Sequence, residues 1–246
     1  MMPTLRLTDR VYLVGGGAYG ISAQEDCNIY LIDGGESLAL IDAGGGGGVD
    51  GILGNIRDVG LNPERVELLI LTHCHYDHIG GAMGLKRKTG CGVAIHEAEA
   101  GEVEGLGPLT LYEMARERGL EFEAVEVDMR LRGGERLKVG DVEVEVIHTP
   151  GHTPGGVSLL LREGDGLDLF TGDTASAQGR LGWINGPGCD LEEWKRSIKR
   201  MVELQPDRLF PGHGVFVLSG ALEHLRVLDE KMNAPWINIV TAVDFR

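Results

Sequence analysis

Long apolar runs are missing from this chain of 246 residues. None approaches the about 20 residues that cross a bilayer, so no membrane partner is expected. Basic residues are in deficit: 23 lysines and arginines face 38 aspartates and glutamates, for a net charge of −15 and a pI near 4.9. A duplex nucleic-acid binder needs a basic footprint, and an anionic membrane surface attracts polybasic segments. Both partners are therefore excluded, and the acidity reads as solubility. Cysteine is sparse. Cys27, Cys74, Cys91 and Cys189 are scattered, with no CxxC spacing, so no disulfide framework is expected. The first ten residues hold no apolar segment of signal-peptide type, and a cytoplasmic location is expected. Asparagine and glutamine number only six and three, a scarcity that leans towards a protein from a hot environment. Glycine, by contrast, is plentiful at 39, which implies many tight turns. Hydrophobic residues make up 42% and mean hydropathy is −0.05, as in a globular chain long enough to bury a full core.

One stretch organises the rest: Thr72-His73-Cys74-His75-Tyr76-Asp77-His78-Ile79-Gly80-Gly81. Three histidines and an aspartate fall within six residues, directly after the apolar run Val66-Glu67-Leu68-Leu69-Ile70-Leu71. Strand side chains repeat every two residues, so a strand entering this stretch presents His73 and His75 on one face and turns Cys74 and Tyr76 away. Asp77 and His78 follow as the chain turns. Imidazole and carboxylate are the ligands that zinc prefers. Polar residues at a strand end would account for one histidine, but not for four ligand types together.

Elsewhere the chain reads as strands, helices, strands, helices. Strands are expected at 11–14, 28–33 and 38–41, a β-meander closed by Gly34-Gly35-Glu36-Ser37. Residues 15–20 form a loop. Gly44 to Gly48 are five successive glycines before a helix at 49–59. No Gly-Lys-Ser/Thr follows, so a flexible turn is expected there and not a phosphate cradle. Residues 79–86 read as helix and 92–96 as strand. Residues 97–119 read as two helical pieces broken near Pro108, either a lid or a surface pair. Strands follow at 142–146, where alternation is strict, at 157–161, 167–170 and 207–210. Helices are expected at 191–204, amphipathic, and at 219–232. A partly apolar tail covers 235–240. No linker interrupts the chain, so one domain spanning 1–246 is expected, with a helical insertion at about 97–119 and a C-terminal helix plus tail at about 219–246. The fold class is α/β (α+β), two β-sheets face to face with helices outside.

Five of these strands run into a candidate site residue: Asp42, the His73–His78 cluster, His152, Asp173 and His213. Residues just beyond strand ends can converge at one rim of a rigid sheet. They offer more nitrogen and carboxylate ligands than one zinc needs, and two metals sharing a carboxylate would use them all.

Thr72-His73-x-His75-x-Asp77-His78, Gly151-His152-Thr153, Thr171-Gly172-Asp173, Pro211-Gly212-His213-Gly214 and Leu40-Ile41-Asp42-Ala43-Gly44 together resemble the metallo-β-lactamase superfamily. Within it the similarity is to glyoxalase II-like hydrolases, over about residues 11–230. The resemblance implies a four-layer αβ/βα sandwich of two mixed sheets. It implies an enzyme, a metal-dependent hydrolase of a thioester, ester or lactone, with two divalent ions: zinc first, iron or manganese as alternatives. His73, His75 and His152 would bind the first metal; Asp77, His78 and His213 the second; Asp173 would bridge them. Asp42 would orient a ligating histidine from behind. A metal-bridging hydroxide would be the nucleophile, with Asp77 and Asp173 the carboxylates of the reaction. The aspartate at 173 is unlike the β-lactamases proper, and only 33 residues follow His213, fewer than glyoxalase II carries. Persulfide dioxygenases with one iron share a Thr-His-Cys-His-x-Asp-His form of the motif and are the alternative reading. Phosphodiester or RNA cleavage ranks lower, for want of a basic or aromatic-interleaved patch.

Tyr76, Arg180 and Trp183 are candidates for substrate contacts, with Ile184 a further pocket wall. Arg180 could hold a substrate carboxylate or sit solvated at the surface. His96, His148 and His224 are expected to be structural, Cys74 a packed thiol and Cys189 structural. The partner expected is a small-molecule substrate, and a homodimer is the default assembly.

Overall fold

The computed structural model describes residues 4–164, 166–182 and 185–234. The expectations for Trp183, Ile184 and the tail at 235–240 fall outside these residues. Seven strands form one sheet in sequence order: β1 (Leu5–Arg6), β2 (Val11–Gly15), β3 (Ile29–Asp33), β4 (Leu38–Ile41), β5 (Val66–Ile70), β6 (Gly92–His96) and β7 (Met129–Leu131). Five form the other: β8 (Arg136–Val139), β9 (Val142–His148), β10 (Val157–Glu163), β11 (Gly166–Gly172) and β12 (Arg208–Pro211). Both sheets are mixed. β1 to β4 pair antiparallel and β4 to β7 parallel; β8 to β11 pair antiparallel and β11 to β12 parallel.

The two faces of a strand go to different cores. Val11 and Leu13 face the inter-sheet core with Phe170 and Phe210, whereas Tyr12 and Val14 face the layer of α1 (Val49–Asp58) and α3 (Ala82–Thr89). Behind the second sheet, α6 (Leu191–Leu204) and α7 (Ala221–Asn233) bury Trp194, Ile198, Met201, Leu225 and Leu228. The architecture is thus helix, sheet, sheet, helix. A strand covered on both sides has no wet face, so β2 and β3 read as continuous apolar runs. β9 alternates because it lies near an edge, with Val144 and Val146 inside and Glu143 exposed. Among the described residues no helix is long and apolar enough to cross a membrane.

Two expectations need correction, and three strands are new. Residues 79–86 are not one helix: α2 (Tyr76–Ile79) ends and α3 begins after Gly80 and Gly81. The chain breaks there because both glycines press on the 43–45 backbone; a Cβ on Gly81 would lie 2.1 Å from the Ala43 carbonyl oxygen. The five-glycine run is pinned, not slack. The buried Asp26 carboxylate accepts from Gly45 N at 2.8 Å and Ala23 N at 3.0 Å, and a Cβ at Gly44 or Gly48 would lie 2.3 Å from it. Finally, β1, β7 and β8 were not anticipated, being short and partly charged.

Topology sets the site. Parallel strands joined by helical crossovers point their C-terminal ends the same way, so β4 and β5 deliver the loops after them to one rim. β11 and β12 do the same in the second sheet, and β9, two antiparallel steps from β11, runs in their direction.

Candidate metal centre

After β5 the chain bends at Thr72 and His73; His73 and His75 join the cluster at the rim, while Cys74 turns into the helix-side core. His75 is the residue before α2, and Asp77 and His78 lie on that helix. His152 arrives after β9, Asp173 directly after β11 and His213 after β12. All of the ligand candidates come together at the rim. His75 Nδ1 lies 3.1 Å from His73 Nε2 and 3.0 Å from His152 Nε2. His213 Nε2 lies 3.3 Å from His78 Nε2 and 2.9 Å from Asp77 Oδ2. Asp173 reaches both groups, with Oδ1 3.4 Å from His78 Nε2, and Oδ2 3.7 Å from His152 Nε2 and 3.6 Å from His213 Nε2. His73, His75, His78 and His152 are buried; the His213 side chain is 47% exposed, so the cluster opens to solvent at that end.

The electrostatics differ between the halves. Burial and the imidazoles of His78, His75 and His152 hold His73 well below the ordinary histidine range. Burial, followed by His152, pushes His75 down to about 3. Burial also lowers His152. These three rings are therefore neutral, with lone pairs available. In the other half burial pulls His78 down, but Cys27, Asp42, Asp173 and Asp77 lift it well above its usual value. Asp173 and Asp77 likewise lift His213 against burial. Burial opposes the ionisation of both carboxylates, yet His78 and His213 hold Asp77 low, and His213, His78 and His152 hold Asp173 low.

Asp42 sits behind the cluster, 1% exposed, at φ 64°. Aspartate tolerates this left-handed backbone better than most residues. Its Oδ2 is 2.8 Å from His78 Nδ1; its Oδ1 accepts from Thr72 N at 2.7 Å, and the Thr72 hydroxyl donates to both oxygens at 3.0 and 2.8 Å. A carboxylate only accepts, so His78 carries its proton on Nδ1 and turns Nε2 to the rim. Gly212 permits the close approach of β12, because a Cβ there would lie 2.7 Å from Asp173 Oδ1 and from His78 Cε1. Trp194 of α6 backs His152 edge-on at 5.3 Å and donates its indole N–H to the Thr174 carbonyl at 2.7 Å.

The other sequence candidates fall as follows. Exposed Arg180 lines an open cavity of about 420 Å³ beside Asp173 and His213, with Ser176, Gln178, Leu181 and Val215. Tyr76 does not line that cavity; its ring is buried and its hydroxyl takes the Arg118 guanidinium at 2.6 Å. His148 stacks on His96 at 4.0 Å, His96 Nδ1 caps α4 (Glu97–Gly105) by accepting from Ala98 N, and His224 accepts from Gln178 N. Two neighbours of the cluster escaped the sequence reading. Cys27 lies with Asp42 and His78 in a group whose ligand-type atoms are within 4.8 Å of one another. Burial pushes its thiol up to about 12, and the nearby His78 opposes that shift. The other is Glu99, wholly buried beside Cys74 and Gly155. No spacing rule flags either residue.

The donor set fits a metal. A tetrahedral zinc with ligand bonds of about 2.0–2.1 Å has ligand–ligand edges of about 3.3 Å. The His73–His75–His152 nitrogens, at 3.1 and 3.0 Å, nearly match that edge.

Residues 23–213 match the Metallo-beta-lactamase superfamily, and the chain belongs to that superfamily. It is 30% identical over 225 residues to the hydroxyacylglutathione hydrolase GloC of Haemophilus influenzae, covering 87% of this chain and 93% of that protein. It is 28% identical over 212 residues to the acyl-coenzyme A thioesterase MBLAC2 of Bos taurus, covering 76% and 72%. Relatives differ in length, and the chain spans between 64% and 94% of theirs. Among solved structures, a Cronobacter sakazakii metallo-beta-lactamase with a HARLDQ motif superposes with a TM-score of 0.70 at 25% identity, over 86% of this chain and 80% of that one.

Proposed function

We propose that the protein is a binuclear metal-dependent hydrolase of a small carbonyl substrate, a thioester before an ester or a lactone. The observation that carries this reading is the pair of ligand groups, His73/His75/His152 and Asp77/His78/His213, with Asp173 in reach of both. In this assignment the first triad would hold one divalent ion and the second group the other, with Asp173 in reach of both. Zinc suits the imidazole-rich first group; iron and manganese accept the same donors. Divalent ions bound there would supply a water of lowered pKa, about 7, and a Lewis acid for a carbonyl oxygen. The chain's own residues do the rest. Asp42 fixes the tautomer and direction of His78. Asp77 and Asp173, held ionised by their histidines, offset the charge of the ions. The cavity beside Asp173 and His213 receives the substrate, with Leu181 and Val215 against its apolar part and Arg180 against an anionic one.

A thioester ranks first because one relative is named a hydroxyacylglutathione hydrolase and another an acyl-coenzyme A thioesterase. The test is a panel of acyl-glutathione, acyl-coenzyme A, ester and lactone substrates, run on the zinc-loaded protein and on Asp173→Ala and His75→Ala. Hydrolysis should fall to background in both variants while the far-ultraviolet circular dichroism stays unchanged. Full activity in either variant refutes the assignment. Oxygen uptake with a glutathione persulfide, and no hydrolysis, would instead establish the one-iron dioxygenase.

A further inference from the structure

We infer that Glu99 is a positioning residue for the metal site: its carboxylate clamps together the two loops that carry His73, His75 and His152. The inference rests on the reading that these three histidines hold a metal. Glu99 lies in the first turn of α4, directly after β6, and is 0% exposed. Its Oε2 accepts from the backbone N–H of Cys74 at 2.7 Å, and its Oε1 from that of Gly155 at 2.6 Å. Cys74 joins His73 to His75. Gly155 follows His152 by three residues. One side chain therefore ties two loops from different sheets.

A purely packing role does not account for these features. Among the described residues no basic side chain pairs with Glu99, and burial pushes its carboxyl up, so an apolar residue would be the cheaper filler. What the carboxylate offers is acceptors for two backbone N–H groups that would otherwise be buried and unpaired, with the Thr153 hydroxyl and the Cys74 thiol beside it as further partners. The glycine at 155 fits this role. A Cβ there would lie 2.7 Å from Glu99 Cγ, so only glycine lets the carboxylate reach both amides. The start of α4 also grips the second loop elsewhere. His96, the residue before the helix, stacks on His148, and His148 Nε2 lies 3.0 Å from the Pro154 carbonyl oxygen. This gives residues 97–105 a part in the site that neither a lid nor a surface helix would have.

Outer partners of metal ligands typically change affinity by about 10–100-fold when lost. The experiment compares wild type with Glu99→Gln, which keeps the volume but turns an amide NH2 towards one of the two N–H donors. Zinc affinity is measured by competition with a chromophoric chelator, the site's geometry by the visible spectrum of the cobalt-loaded protein, and the fold by thermal unfolding without metal. The clamp predicts affinity about 10–100-fold weaker, an altered cobalt spectrum and a folded apoprotein. A folded variant that binds zinc within about twofold of wild type, with an unchanged cobalt spectrum, overturns it. Should Glu99→Gln not fold, Gly155→Ala, which leaves the carboxylate in place but forces it off the loop, must show the same loss; wild-type affinity there overturns the inference. Wild-type protein that takes up neither zinc nor cobalt would instead overturn the metal reading itself, and the clamp with it.

Discussion

Replacing Asp42 with asparagine isolates one half of the site. Asparagine accepts the left-handed backbone at this position, φ 64°, so the turn after β4 survives. Its carboxamide cannot replace the carboxylate. The two oxygens accept from Thr72 N at 2.7 Å and from His78 Nδ1 at 2.8 Å, and one of them must become a donor. Either orientation sets NH2 against N–H. The loss is one hydrogen bond to a charged group, about 1.5–3 kcal/mol. At about 1.4 kcal/mol per factor of ten, this is about 10–100-fold in affinity for the ion held by His78. The His73/His75/His152 group touches Asp42 only indirectly, through the Thr72 hydroxyl 3.1 Å from His73 Nδ1 and through the shared Asp173, so its affinity should fall less than that of the ion held by His78. A chelator-competition titration of wild type and Asp42→Asn resolves the two steps. Equal weakening of both steps, or no change in either, would refute the reasoning that Asp42 acts through His78.

Two further outcomes concern stability. Trp194→Ala removes a wholly buried indole and its bond to the Thr174 carbonyl, and should cost about 3–5 kcal/mol in urea unfolding; a loss below about 1 kcal/mol would show that α6 repacks freely. His96 is held below its ordinary value of 6.5, by burial first and then by His148, against the opposing Arg132 carbonyl, Glu97 and Glu135. Its folded form takes a proton less readily than the unfolded chain, so its contribution is complete above pH 6.5 and is lost as pH falls below that value. His96→Asn keeps an acceptor to cap α4 but does not titrate, so urea unfolding at pH 5 and 7.5 should show a smaller acid loss than wild type; parallel losses would exclude His96 as a source.

The residues at strand ends were legible because two signals coincided. An apolar run of strand length stops, and a ligand-type residue follows, at Asp42, His73, Asp173 and His213. His152 followed the same pattern at a greater distance, since β9 runs on to His148 before the turn. What the pattern could not carry was packing between loops. The glycines at 44–48 signal freedom in a sequence, but at Gly44 and Gly48 the Asp26 carboxylate, and at Gly46 the Gly80 backbone, leave little space for a Cβ. α4 reads Glu97-Ala98-Glu99-Ala100-Gly101-Glu102, and nothing in that alternation says which acid turns inward. Glu99 has meaning only once Cys74 and Gly155, 25 residues before it and 56 residues after it, are brought to its two oxygens. Short charged strands such as β8 failed for a similar reason, since their pairing with β9 outweighs their local composition.

The most direct test of the central claim is metal stoichiometry, by elemental mass spectrometry on protein purified without added metal. A binuclear hydrolase holds two divalent ions per chain, both zinc or zinc with iron or manganese, falling to one or none in Asp173→Ala. A single iron per chain in the wild-type protein, unchanged when zinc is offered, would contradict the binuclear hydrolase and leave the dioxygenase in its place.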